Sequence, residues 1–593
     1  MSVKHYFQEG GPLEKAVPRY RRRKAQADAS EFIYECMKDH TPAVLEAPTG
    51  SGKTMAYLIP AFELNRRTII STKTKQLMSQ ISGKDITTAQ KIFGTEKNVA
   101  VLKGRRNYFC HLRFFKFIYP HALRYQNIVE WYETVADREV IEIPVGVFNA
   151  SDIESVTVDS WQCMSSKCEF YDICSFYRAK QKANDADIVI TNHYLLMSDF
   201  ALKSENEHAM ILDFADHIIM DEAHSIPDIF PRFAGTELSL RSYLKVMNEN
   251  RPVFDPRDIE ITAGLLSGLL EDLTERRYTA DVSERLTSYI SFADKVLGDK
   301  DIEDIKQIHK RLSEKAKSVL ADGEGVRYCE QERGDIILQY IPLDASDKLR
   351  EGLKNSCASP VFVSATLSAK ESFSYFLGEI GYSEDEVSLK SLEPVFDFEK
   401  QGRLMVTDCG DSFYEELALK AKGSVLVICN STARMYKISK LLKNIIPDRV
   451  FTQTEIDISD TEGFTDTFFI GCAVFREGMD FAHTGISYVV LDKLPFEYPD
   501  DIILKEHAAS LKNKGQDPFK DYFLPRAVIY YRQAVGRLLR HEEDFGIWAV
   551  LDNRMETKNY GKYFRDVLIN VPRINTIDEA VRFLEVTDET NQG

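Results

Sequence analysis

Short runs of β-branched and aliphatic residues recur along the chain, each followed by a stretch with helical spacing. "TIIS" (68–71), "VAVL" (99–102), "DIVIT" (187–191), "HIIMD" (217–221) and "PVFVSAT" (360–366) form a first block. "SVLVIC" (424–429), "RVFTQ" (449–453), "TFFIG" (467–471), "ISYVVLD" (486–492) and "IWAVLD" (547–552) form a second. Runs this apolar leave no polar face, so they predict strands buried on both sides of a parallel sheet. The helix-length segments between them supply crossovers, and the pattern predicts an α/β protein with two doubly wound domains. Two stretches interrupt the first block: 103–186 holds a cysteine cluster, and 225–350 is charged and mostly helical in pattern. Neither is of low complexity, so each reads as a domain inserted on a loop of the first core. The division is then a first α/β domain at 1–102, 181–224 and 351–385, a cysteine-bearing insert at 103–180, a helical insert at 225–350 and a second α/β domain at 386–593.

Onto this frame "EAPTGSGKT" (46–54) adds a phosphate site between the apolar "AVL" and the helical "MAYLIPAFEL". Ala47, Pro48, Thr49, Gly50, Ser51, Gly52, Lys53 and Thr54 read A-x-x-x-x-G-K-T, with alanine at the place of the first glycine of the phosphate-binding loop. Gly50 and Gly52 let backbone N–H groups turn toward phosphates at a helix N-terminus, where negative charge is favoured. Lys53 reaches the β- and γ-phosphates of ATP, and Thr54 offers its hydroxyl to Mg²⁺. "HIIMDEAH" (217–224) supplies the complement: Asp221 ends an apolar strand and would hold Mg²⁺, and Glu222 would orient and deprotonate the attacking water. Alone, this tetrad also suits a solvated helix start. Its distance of 168 residues from Lys53 exceeds what one α/β core needs and agrees with an insertion between them. Far downstream, "YRQAVGRLLR" (531–540) spaces Gln533, Arg537 and Arg540 about one helical turn apart, so one helix face is expected to project all three. From the second core, Arg537 and Arg540 would reach the γ-phosphate and stabilise charge as it transfers.

The cysteines are unevenly spread. "WQCMSSKCEFYDIC" (161–174) carries Cys163, Cys168 and Cys174, and "LKGRRNYFC" (102–110) adds Cys110. The N-terminus lacks the apolar core of a secretory signal, and no run is long and apolar enough for a membrane span, so an intracellular, cytoplasmic chain is expected. Structural disulfides are disfavoured there. Four thiolates suit Zn²⁺ or a [4Fe–4S] cluster, and the lone cysteine with a widely spaced trio departs from the usual paired zinc spacing. The formal net charge of −17 argues only weakly against nucleic acid, because local patches such as "RYRRRK" (19–24) and "KGRR" (103–106) remain.

Taken in order, these motifs resemble those of superfamily 2 helicases, specifically the XPD/DinG branch with an iron–sulfur domain. "YRRRKAQ" (20–26) is similar to the family's opening motif, which implies Gln26 near the adenine. "ISTKTKQLMSQI" (70–81) resembles the next motif, "VSATL" (363–367) the S-A-T coupling motif, and "LDKLPFEYP" (491–499) the D-K-L-P-F segment. "FREGMDF" (475–481) resembles the E-G-x-D segment and implies Gly478 and Asp480 at the nucleotide, with Phe475 where the family often has Trp. "KGRRNYFC" resembles the start of the DinG iron–sulfur domain, so the resemblance implies a [4Fe–4S] cluster on Cys110, Cys163, Cys168 and Cys174. It further implies two RecA-like motors, an arch-like insert at 225–350, and a monomeric ATP-dependent helicase moving 5′→3′ on single-stranded and forked DNA. Ser364 and Thr366 would link ATP to the strand-binding face. The motor begins near residue 20, so no exonuclease domain is expected. Two other readings stay open: an RNA-directed remodelling ATPase, and a DNA-binding redox sensor with a vestigial motor.

Overall fold

The structure is a computed structural model; it describes residues 2–18, 20–272, 280–321, 323–332, 334–370, 372–408, 410–456, 464–477, 484–541 and 543–591. Ten strands precede the second α/β block. They are β1 (Ala43–Glu46), β2 (Thr68–Thr72), β3 (Val99–Val101), β4 (Ile188–Asn192), β5 (Ala215–Asp221), β6 (Thr236–Ser239), β7 (Gly325–Glu332), β8 (Asp335–Pro342), β9 (Cys357–Ser364) and β10 (Ser388–Ser391). Six follow: β11 (Gly402–Val406), β12 (Ser424–Ile428), β13 (Val450–Thr452), β14 (Phe468–Gly471), β15 (Ile486–Leu491) and β16 (Gly546–Val550). The helices that frame the sites and the helical insert are α1 (Lys24–Lys38), α2 (Lys53–Leu64), α3 (Ile226–Ala234), α4 (Pro256–Asp272), α5 (Ala280–Gly298), α6 (Glu303–Leu320) and α7 (Leu524–Val535).

Two parallel sheets carry the fold, in strand orders β10-β1-β9-β5-β2-β4-β3 and β11-β16-β15-β12-β14-β13. Each is covered on both faces, which is why its strands read as continuously apolar. In the first sheet Val44, Ile69, Val189 and Phe362 pack into one core. Their chain neighbours Leu45, Ile70, Ile190 and Val363 pack into the other. The two-residue alternation is therefore present but hidden, because both faces are hydrophobic. Register sets the site: β1 pairs with β9 so that Glu46 faces Ser364, and β5 pairs with β9 so that Asp221 faces Val363. The strands that lead into the phosphate loop, the acidic tetrad and the S-A-T segment thus end together, at the carboxyl edge where α/β sheets bind ligands.

Three features depart from the sequence reading. β10 pairs in parallel with β1, so the first domain extends to Ser391 and past the expected boundary at 385. Its sequence "SLKS" is polar because it is an edge strand with no fully buried position, which removes the apolar signal. The insert at 225–350 is more than helical: β6, β8 and β7 form an antiparallel sheet. Helices α4, α5 and α6 close around that sheet, sharing a core with Tyr243, Tyr289, Leu312 and Leu338. Third, α3 packs back onto the first domain through Ile226, Ile229 and Phe230, so the helical insert leaves the motor after Ala234 and not at 225.

Candidate nucleotide cleft and cysteine cavity

α2 begins at Lys53 behind two glycines in left-handed conformation, Gly50 at φ 76° and Gly52 at φ 78°. Those angles are cheap only for glycine. At Gly52 there is also no room, since an added Cβ would fall 2.1 Å from Gln26 Nε2. Gln26, buried on α1, donates Nε2 to Gly52 O at 2.9 Å and accepts from Tyr20 Oη at 2.7 Å. Its amide therefore clamps the phosphate loop from behind. Lys53 Nζ stands 3.4 Å from Ala47 O and 3.8 Å from Glu222 Oε1, with no closer anionic partner among the described residues.

Asp221 ends β5 with both carboxylate oxygens oriented: Tyr57 Oη donates to Oδ2 at 3.1 Å, and Glu222 N donates to Oδ1 at 3.0 Å. Glu222 itself is left-handed at φ 59°, a conformation that costs a non-glycine residue on the order of 1 kcal/mol and recurs at functional turns. That turn carries its carboxylate toward Lys53, His224 and Ser364. His224 Nδ1 lies 2.7 Å from Ser364 Oγ and 3.3 Å from Glu222 Oε2, and Ser364 Oγ donates to Glu222 Oε2 at 3.3 Å. Burial and the Glu222 charge raise the Asp221 carboxyl to about 6. Burial also pushes Glu222 upward, but Lys53 and His224 outweigh it and hold Glu222 well below the usual carboxylate range. The pair is thus split into two carboxyls with different proton affinities, the condition for distinct roles.

The second α/β domain completes the cleft. Gln533 Nε2 reaches Thr366 Oγ1 at 3.4 Å across the two domains. The single-face helix expected over 531–540 is not what forms: α7 stops at Val535. Val535 O is shared between Trp548 Nε1 at 3.0 Å and Leu538 N at 3.4 Å, a three-residue step that ends α-helical pairing, and Gly536 follows. Arg537 sits in the turn with Nε donated to Arg476 O at 2.7 Å, and Arg540 lies beyond it, its N held by Asp544 Oδ2 at 2.7 Å. Even so, Gln533, Arg537 and Arg540 face the same cleft of about 860 Å³ as Pro48 to Thr54, Asp221 and Glu222. Around it Ser51 Oγ, His224 Nε2, Gln533 Oε1 and Arg540 Nε are buried without a hydrogen-bond partner among the described residues. Thr54 and Asp221 bring a hydroxyl and a carboxylate with lone pairs to spare to one wall, a donor set that fits Mg²⁺. Gly478 and Asp480 lie outside the described residues.

A second cavity sits in the first insert, and Cys110, Cys163, Cys168 and Cys174 all line it. Cys110 precedes the short helix His111–Arg113, Cys163 and Cys168 flank the turn Ser165–Lys167, and Cys174 caps the helix Ser175–Asn184. All four are free thiols, which removes the disulfide reading. Tyr108 and Phe109, at 2% and 1% exposure, are packed into the wall with Phe176. Arg105 Nη1 donates to Cys163 Sγ at 2.9 Å while its guanidinium stacks 4.1 Å from the Phe176 ring centre. Burial pushes the Cys110 thiol up to about 12 and raises Cys168 too, so these sulfurs ionise only where a cation replaces the proton. Among the described residues no three His, Cys, Asp or Glu side chains close on a single point as one metal ion requires. The thiols ring a space. That donor set fits a cluster of several atoms. The helical insert grips the same loop: Trp161 packs into its core, and Arg311 Nη1 donates to Cys163 O at 2.5 Å.

The sequence reading missed Tyr57, Glu46 and Arg532, which brace the cleft. Glu46 and Arg532 form a bidentate ion pair between the motors, Arg532 Nη2 lying 2.8 Å from Glu46 Oε1. Their one sequence signal is position: a charged residue ending an apolar strand, and one abutting Gln533.

Three family models match the chain: DEAD/DEAH box helicase over residues 23–109, DEAD_2 over 148–242 and helicase C-terminal domain over 414–570. The ATP-dependent DNA helicase YoaA of Escherichia coli (strain K12) is 29% identical over 98% of this chain and 99% of its own. The ATP-dependent DNA helicase DinG of Photobacterium profundum is 24% identical over 96% of this chain and 98% of its own. Among solved structures, an XPD helicase superposes with a TM-score of 0.56 at 16% identity, over 94% of this chain and all of that one. The Xpd4 structure from S. tokodaii gives 0.54 at 13%, over 93% of this chain and all of that one. Those two share the fold. With the motif order, two parallel sheets and a cleft between them in agreement, the chain is similar over nearly its whole length to the ATP-dependent DNA helicases YoaA and DinG and shares the XPD fold.

Proposed function

We propose that this protein is an ATP-dependent DNA helicase that moves 5′→3′ along single-stranded DNA and opens duplex or forked DNA during repair or replication. The observation that carries the reading is the cleft in which both motors present buried, unpartnered polar atoms, with Ser51 and His224 on one side and Gln533 and Arg540 on the other. Ser51 Oγ and Arg540 Nε can donate to a phosphate chain, which would hold the two motors in contact. In this reading Lys53 and the loop Ala47–Thr54 hold the phosphates, and Thr54 and Asp221 hold Mg²⁺, which would supply charge neutralisation at the phosphates. Glu222, kept ionised by Lys53 and His224, takes a proton from the attacking water. Arg537 and Arg540 face the transferring group from the second motor. Gln26 supports the loop next to the base, and Gly478 and Asp480 are assigned to nucleotide binding by motif alone.

We assign residues 103–180 to an iron–sulfur domain whose ligands are Cys110, Cys163, Cys168 and Cys174, and the insert after Ala234 to an arch. What supports the cluster is that Cys110, Cys163, Cys168 and Cys174 line one cavity, with a lone cysteine and a widely spaced trio in place of the paired spacing usual for zinc. A bound cluster would supply a rigid four-way crosslink between loop segments. The grip of Arg311 on the Cys163 carbonyl makes that crosslink a fixed base for the arch. The motor acts as a monomer in the cytoplasm; no helix among the described residues is long and apolar enough to cross a membrane.

The test pairs strand separation with cluster analysis. Anaerobically purified protein should carry iron and sulfide with visible absorbance and unwind 5′-tailed DNA but not 3′-tailed DNA. Glu222→Gln should abolish unwinding while leaving the colour. Unwinding of RNA and not DNA would favour the RNA-directed reading. Unwinding unaffected in Glu222→Gln, with DNA binding lost on cluster oxidation, would favour the redox sensor.

A further inference from the structure

Glu46 is the last residue of β1, immediately before the phosphate loop, and its side chain is 4% exposed. Within its own motor its carboxylate accepts from Leu367 N at 2.7 Å, Ser368 N at 2.7 Å, Ser368 Oγ at 2.9 Å and Ser391 Oγ at 3.3 Å. From the other motor Arg532 adds Nη1 at 3.1 Å and Nη2 at 2.8 Å, and the same Nη1 donates to Ser368 O and Ser368 Oγ, both at 2.8 Å. The arrangement is asymmetric. The anion is fixed by four donors that stay with it when the motors part, whereas Arg532, 27% exposed, can turn to water. A buried carboxylate so supplied remains ionised: burial raises its proton affinity, but Arg532 and the Leu367 and Ser368 amides bring it below the ordinary value. The fork also has a geometry that an ammonium cannot reproduce.

Position gives the pair its meaning. Ser368 lies two residues beyond Thr366, which receives Gln533, the neighbour of Arg532. Five residues after Arg532, past the helix end at Val535, comes Arg537. A second arginine at the start of α7, Arg526, holds Asp228 Oδ1 on α3 at 2.7 Å, so the helix is pinned to the first motor near both ends. Only the Arg532 end abuts the phosphate loop.

We propose that the Glu46–Arg532 pair is a docking bond, made on closure and broken on opening, that sets the distance between the phosphate loop and the turn bearing Arg537 and Arg540. Arg532 is then a positioning residue for hydrolysis, and Glu46 is its fixed receptor. The inference rests on the motor reading above. It also explains why the residue before the phosphate loop is charged although it ends a buried strand.

The experiment measures ATP hydrolysis with single-stranded DNA, binding of a fluorescent ATP analogue, and the distance between dyes on the two motors. It uses the full chain carrying Arg532→Met, Arg532→Lys, Glu46→Gln, or Glu46→Gln with Arg532→Met. Arg532→Met should lower kcat about 10- to 100-fold while analogue affinity changes less than about threefold, as expected for lost alignment and not lost binding. The nucleotide-bound dye distance should shift toward the open value. Arg532→Lys should recover only part of the rate, and the double variant should be no slower than the slower single, since one bond is lost in each. An unchanged kcat and dye distance, or additive losses in the double variant, would overturn the docking bond. So would a fall in kcat matched by equal losses in analogue binding and thermal midpoint, which marks a merely structural pair. Absence of hydrolysis in the unsubstituted protein would instead overturn the motor reading itself.

Discussion

The nucleotide cleft is lined by polar groups bonded to one another across strand ends, whereas the cysteine cavity is walled by rings and brings together four thiols from loops. In the cleft, Asp221, Glu222, Ser364 and His224 are mutually oriented before any ligand arrives. In the cavity, burial drives Cys110 toward the protonated form, Arg105 and Ser165 N approach the Cys163 sulfur, and the backbone N–H groups of Arg113 and Phe170 serve Cys110 and Cys168. The contrast teaches that the first site is preorganised by the sheet, while the second is assembled from loops. A parallel sheet fixes strand ends to within its register. Loops between short helices have no such ladder, and the cluster proposed above would supply the missing crosslink.

That contrast can be broken or sharpened by substitution. The largest effect is expected for Lys53→Ala, which removes the cation facing the phosphates: steady-state ATP hydrolysis should fall about 10²- to 10³-fold or more. Iron content and visible absorbance should not change. Loss of iron in that variant would mean that the two sites are not independent. Next, Cys110→Ser should leave at least about tenfold less iron on the purified protein, since removing a ligand costs more than losing its outer partner. Its DNA-independent hydrolysis should stay within about twofold of normal, and a collapse there would make the cavity as essential to the cleft as the sheet is. Gly52→Ala should weaken nucleotide binding about tenfold, from left-handed strain plus the clash with Gln26 Nε2. Adding Gln26→Ala relieves only the clash, so the affinity regained, read by equilibrium binding, separates the two causes. The smallest effect is Tyr57→Phe, which deletes one donor to Asp221 and should lower kcat about fivefold, the weight of one hydrogen bond.

How much of this was legible beforehand follows burial. Strands β1, β2, β4, β5 and β9 announced themselves because both faces meet a core. The edge strand β10 and the antiparallel β6-β8-β7 sheet did not, since a half-buried strand needs its partner before its alternation carries meaning. At the site, Lys53, Asp221, Glu222 and Gln533 were found by spacing, and the structure brings them to one cleft. The expected helix through Arg540 failed because Trp548, far along the chain from Val535, takes part of the carbonyl that the next turn would need. Glu46 and Arg532 carry no spacing signal, being separated by nearly the whole chain, and only the packing of the motors pairs them.

By itself, then, the amino-acid sequence determined the two parallel sheets, the phosphate loop with its acidic complement, and the four cysteines, because each rests on local pattern or on a short motif with its own chemistry. Tertiary structure alone decided which strand ends meet, that Glu222 turns left-handed toward Lys53 and His224, and that Cys110 joins the Cys163, Cys168 and Cys174 thiols around one cavity. Register and inter-domain packing act between residues far apart in the chain, and no local pattern encodes the distance at which they close.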